Sequence, residues 1–157
     1  MVIRLSKGKN GKPGTLTCIR EDGSTTWQRS SDFFAYHDLI HYAVETTLGY
    51  KDAFLGLVAK GRDLDSFGTR DGVKENYTQE EGWAEGLAGL VQFAGYSGGP
   101  PMSDAELLET LAQTCAAREV SMPPITVEQL TQIRAKARDL HKRWAQLPKG
   151  EALELTF

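Results

Sequence analysis

Thr15-Leu16-Thr17-Cys18-Ile19-Arg20, then Glu21-Asp22-Gly23-Ser24, then Thr25-Thr26-Trp27-Gln28-Arg29 is the stretch that decides the fold class. Two β-branched, partly alternating runs flank an Asp-Gly pair, the dipeptide that best tolerates the positive φ angles of a tight hairpin. Val2-Ile3-Arg4-Leu5 precedes them across the turn-rich loop Gly8 to Gly14, so the chain opens as a three-stranded meander. Ala152-Leu153-Glu154-Leu155-Thr156-Phe157 alternates with period two and reads as a fourth strand. A terminal strand this apolar is a liability unless it pairs with the sheet. Leu153, Leu155 and Phe157 should therefore face the helices beside Leu16 and Cys18.

Between these ends the pattern is helical. Ser31 or Asp32 can cap a helix over 33–48 that Gly49 ends, and a short helix follows from Lys51 to Lys60 with Gly61 as its stop. Residues 62–77 read as a loop. Thr78-Gln79-Glu80-Glu81, Ser103-Asp104-Ala105-Glu106 and Thr126-Val127-Glu128-Gln129 have capping-box spacing. They open helices towards Tyr96, Ala117 and Leu147, with breaks at Gly98-Gly99-Pro100-Pro101 and Pro123-Pro124. The expectation is one α+β domain over 1–157: a small antiparallel sheet, built from an N-terminal three-stranded meander plus a C-terminal strand, packed with about five α-helices.

The whole chain has 157 residues, 18 basic and 21 acidic side chains, and a net charge of −3. That balance argues against a polyanion binder, so no nucleic acid is expected as partner. No run approaches the roughly 20 apolar residues that a membrane span needs. The first residues lack an apolar signal core, and Cys18 and Cys115 form no CxxC pair, so a cytoplasmic location is expected. Charge is uneven: residues 32–119 carry a net −9 and hold His37 and His41, two of the three histidines.

On the helix over 33–48, about 100° per residue places His37 among Phe33, Ile40, Val44 and Leu48, in the middle of the apolar face. His41 lies about 40° and Glu45 about 80° round, so the three follow one edge, with Asp38 at about 100°. Imidazoles on such a face must be satisfied by one another, by water, by a ligand or by a metal. His37-Asp38-Leu39-Ile40-His41 resembles the HExxH motif of zinc-dependent proteases, with Asp in place of Glu. The resemblance implies that His37 and His41 bind a divalent metal such as zinc, with Asp38 as general base. Glu45, Glu81 and Glu85 are the candidates for the remaining ligand. The longer stretch from His37 to Glu45, with Phe54 to Asp65, is similar to a group of uncharacterised bacterial proteins.

Gly82, Gly86 and Gly89 align within about 40° on the helix that starts near Gln79. Three interior glycines cost about 3 kcal/mol relative to alanine, which predicts either close approach of another backbone or a ligand groove. Leu130, Ile133, Ala137, Leu140, Trp144 and Leu147 have the spacing of a packing seam, matched by Leu108, Leu111 and Cys115. Surplus seam would support a homo-oligomer through the C-terminal helices. Asp63 to Lys74 begins like an EF-hand loop but has Phe67 and Lys74 where carboxylates belong, and no GxSxG elbow is present. Two readings follow: a small binding or assembly protein without catalysis, or a metal-binding protein, in the furthest case a metal-dependent hydrolase.

Overall fold

The computed structural model describes residues 1–67, 78–95 and 100–157. Its order is β1 (Val2–Ser6), β2 (Gly14–Ile19), β3 (Thr25–Ser30), α1 (Asp32–Leu48), α2 (Phe54–Ala59), a 3-10 turn (Leu64–Phe67), α3 (Gln79–Gly95), α4 (Asp104–Ala117), α5 (Val127–Gln146) and β4 (Ala152–Thr156). The fold is α+β. Parts of three sequence expectations lie outside the described residues: the loop over 68–77 with the end of the EF-hand-like stretch, the helix end at Tyr96, and the Gly98-Gly99 break.

The sheet is antiparallel in the order β3-β2-β1-β4, so the last strand pairs with the first. Its register follows from alternation. Ile3 lies opposite both Cys18 and Leu155, and Leu5 opposite both Leu16 and Leu153, so one sheet face is a continuous apolar layer. Phe157, half-buried, closes the layer's end as expected. Gly23, at φ 82°, supplies the hairpin turn between β2 and β3.

Helix α1 is the hub. Ser31 caps its start, and Gly49 in the left-handed region (φ 71°) ends it. Ala35 and Leu39 pack into the apolar layer of the sheet, whereas Ile40, Ala43 and Val44 pack into a second cluster formed with α3, α4 and α5. Helix α5 bridges the same two clusters: Leu130, Ile133 and Ala137 join the helical one, Leu140 and Trp144 the sheet one. The expected seam is therefore buried inside the chain, against α1 as well as α4. On α4 the deepest contact is Leu107, one residue before the Leu108 of the expected stripe.

The glycine line behaves differently from the expectation of tight helix packing. A Cβ added at Gly82 or Gly89 would meet nothing within 4 Å, and one at Gly86 only Leu111 Cδ1 at 4.0 Å. The small residues that let α3 lie close to α1 are Ala84 and Ala88, both in the helical cluster with Ile40, Ala43 and Val44. Among the described residues, no helix is long and apolar enough to cross a membrane.

Candidate metal site between α1 and α3

The buried stripe of α1 is rotated from the position expected for it. Phe33 is 58% exposed, His37 sits at the edge of the buried face rather than in its middle, and His41, Asp38 and Glu45 are the buried polar residues. The reason is packing on two sides. The sheet and α5 take up one flank of α1, and α2 covers the flank that carries His41 and Glu45.

Helices α1 and α3 run past each other so that His37 meets Gln92 and His41 meets Glu85. His37 Nδ1 is 2.7 Å from Gln92 Oε1. An amide oxygen can only accept, so Nδ1 carries the hydrogen and Nε2 presents a lone pair. His37 Nε2 then lies 3.1 Å from His41 Nε2, which is 3.2 Å from Glu85 Oε2. The other oxygen, Glu85 Oε1, is 3.6 Å from His37 Nε2. Two imidazole nitrogens and a carboxylate thus converge on one point, with all three ligand atoms within 4.8 Å of one another.

Three acceptors facing each other repel unless a cation stands among them. In the metal-free protein that cation is a proton on His41. Burial works against a charged ring there, but Glu45 and Glu85 outweigh it and push the His41 pKa up to about 9. His37 and His41 in turn hold the Glu85 carboxyl well below the usual carboxylate range. The protonated His41 directs Nε2–H at His37 Nε2 and Glu85, and Nδ1 at Glu45 Oε1, 3.4 Å away. That last separation is an ion pair outside hydrogen-bond geometry, and Nδ1 makes no hydrogen bond.

The other acidic candidates are placed apart from this point. Glu45 has a side chain at 0% exposure and turns its carboxylate to α2, accepting from Leu55 N–H at 2.9 Å and Gly56 N–H at 3.1 Å. It does for α2 what a capping side chain would do, since Ala53 at the cap position has none. Glu81 forms a reciprocal cap with Thr78 (2.9 and 3.0 Å) and pairs with Arg62 at 3.0 Å. Asp38 is buried, and its Oδ2 makes no hydrogen bond. Desolvation, against the opposing pull of His41 and His37, raises its pKa to about 6. It does not join the cluster of His37, His41 and Glu85. Burial, with Asp38 nearby, pushes the Cys18 thiol up to about 12, which makes it an unreactive core residue.

The sequence reading did not single out Gln92. A polar residue seven positions after Glu85 on α3 shares its helical face, and that spacing was the available signal. No family model, curated protein or solved structure matches the chain.

Proposed function

We propose that this protein binds a divalent transition metal, zinc or an ion of similar chemistry, through His37 Nε2, His41 Nε2 and one oxygen of Glu85. The observation that carries the reading is the convergence of two imidazole nitrogens 3.1 Å apart with one carboxylate, whose Oε2 is 3.2 Å from His41 Nε2 and whose Oε1 is 3.6 Å from His37 Nε2, held together without metal by a single proton. A tetrahedral ion with bonds of about 2.0–2.1 Å separates its ligands by about 3.3–3.4 Å, close to the 3.1 Å between the two nitrogens and the 3.2 Å from His41 Nε2 to Glu85 Oε2. The outer partners support the same reading. Gln92 holds the His37 tautomer that frees Nε2, and Glu45 faces the far nitrogen of His41, the arrangement that orients and strengthens histidine ligands.

Access is one-sided. The His41 side chain is 4% exposed, His37 20% and Glu85 53%, so an ion would be buried on the His41 side and open to solvent beside Glu85. Three protein ligands with an open side leave a position for water or a small ligand. The HExxH-like reading asks more, a general base next to that open position, and Asp38 is buried and does not join the cluster. Binding is therefore favoured over hydrolysis.

The test is zinc uptake by untagged protein. One equivalent per chain is expected, abolished in the H37Q/H41Q double variant, while circular dichroism shows the fold retained. Wild-type protein that leaves zinc with a weak chromophoric chelator would overturn the reading.

A further inference from the structure

Among the described residues, Glu45 is the one buried carboxylate that touches both the candidate metal site and a separate element of structure. Its oxygens accept the N–H groups of Leu55, at 2.9 and 3.2 Å, and Gly56, at 3.1 Å, which are the second and third residues of α2. Its Oε1 also faces His41 Nδ1 at 3.4 Å. The first residue of α2, Phe54, sets its ring edge-on to the His41 ring with centroids 5.4 Å apart, and Phe67 of the 3-10 turn meets Phe54 edge-to-face at 4.9 Å. Gly56 is pressed against the backbone of Lys51, where an added Cβ would collide with the carbonyl oxygen.

We infer that Glu45 is a positioning residue that couples metal occupancy at His41 to the seating of α2. This inference rests on the metal-binding reading above. A dication that takes the place of the Nε2 proton raises the positive charge facing Glu45 from one unit to two, while Nδ1 keeps its hydrogen. The 3.4 Å ion pair then closes to a hydrogen bond with Glu45 Oε1, as outer carboxylates do to metal-bound imidazoles. Drawing the carboxylate and the ring together fixes both supports of α2: the anchor of its first amides and the aromatic surface under Phe54. The metal thus orders a helix that contributes no ligand to it.

The experiment is hydrogen–deuterium exchange of the full-length protein with and without zinc, combined with a zinc competition titration, on wild type, E45Q and Q92L. For wild type the expected result is at least tenfold slower exchange on zinc addition at the Leu55 and Gly56 amides, beyond any slowing in α4, which does not line the site. E45Q keeps all three ligands, and its amide oxygen can still cap α2. It is expected to bind zinc 10- to 100-fold more weakly and, when saturated, to show no α2-selective protection. Q92L loses the partner of His37 and is expected to weaken zinc binding while keeping the α2 effect. Equal slowing of α2 and α4 in wild type would overturn the coupling while leaving metal binding in place. So would α2-selective protection in saturated E45Q. Should E45Q fail to fold, the wild-type comparison of α2 with α4 decides alone. Wild-type protein that binds no zinc would overturn the metal reading itself, and the coupling with it.

Discussion

The β1–β4 edge of the sheet and the α1–α3 seam hold the same chain together by opposite means. At β1–β4 the buried side chains are Ile3, Leu5, Leu153 and Leu155, and the backbone groups are paired along the ladder. At the seam, His41 and Glu45 lie buried with Gln92, and His37 and Glu85 lie at the rim. Leucines could fill that seam and would need no partners. Polar groups there cost desolvation, and each one left unpaired costs roughly 1–3 kcal/mol. The sheet edge is built for stability. The seam gives up stability for a shaped, charge-bearing site.

Removing residues 151–157 tests the sheet side of that contrast and has the largest expected effect. Burying Leu153, Leu155 and Phe157 is worth roughly 5–8 kcal/mol before chain entropy, comparable with the whole stability of a small protein. The truncated chain should show no cooperative urea transition. A midpoint near that of the parent would show that β4 is dispensable.

The seam should instead reveal itself through pH. The His41 pKa is raised from 6.5 to about 9, so its stabilising contribution is complete below pH 6.5 and is lost as pH rises through about 9. The loss amounts to about 3 kcal/mol. Metal-free protein should therefore lose stability between pH 6.5 and 9, and H41Q should be flat over that window. Urea midpoints across the range provide the check.

Asp38 adds a second loss with rising pH, here because burial opposes the charged form. Its pKa is raised from 3.8 to about 6, so the folded state holds a proton that the unfolded state releases earlier. Stability falls as pH rises from about 4 to 6, and the cost persists above that. D38N should match wild type near pH 4 and exceed it at pH 7 by at most about 3 kcal/mol. An Asn variant that is less stable at pH 7 would show that the attraction of His41 and His37 outweighs the cost of burying the carboxylate.

Smaller effects separate the two acids of α3. E81Q weakens a cap and an ion pair and should cost about 1 kcal/mol while leaving zinc uptake intact. E85Q should abolish zinc uptake and also lower the stability of the metal-free protein at neutral pH, because it removes one of the two carboxylates that keep His41 protonated. Gly82→Ala and Gly89→Ala, each with open space at the Cβ, should raise stability by about 0.5–1 kcal/mol in thermal melts.

The sheet was legible because each of its signals is local: the Asp22-Gly23 turn, the alternation at 153–157, and apolar residues on one face. Caps at Ser31, Ser103 and Thr126 were legible for the same reason. The site was legible in part. The i, i+4 spacing of His37 and His41 already put both rings near one another on α1. Which acid joined them depended on how α3 lies against α1. That is set by the distant pair Ala84 and Ala88 fitting against Ile40 and Val44, not by the glycine line. Glu45 looked equivalent to a ligand on a helical wheel, since the wheel carries no information about α2 arriving on its flank. The rotation of α1 that exposes Phe33 and buries His41 has the same origin.

The most direct measurement concerns the proton that the site holds when no metal is present. Calorimetric zinc titrations at pH 7, in two buffers of different ionisation enthalpy, count the protons released per ion bound. With His41 titrating at about 9, about one proton should leave as zinc takes the place of the Nε2 hydrogen. Zinc bound with no proton release, or with the same release in H41Q, would contradict the assignment of this triangle as the metal site.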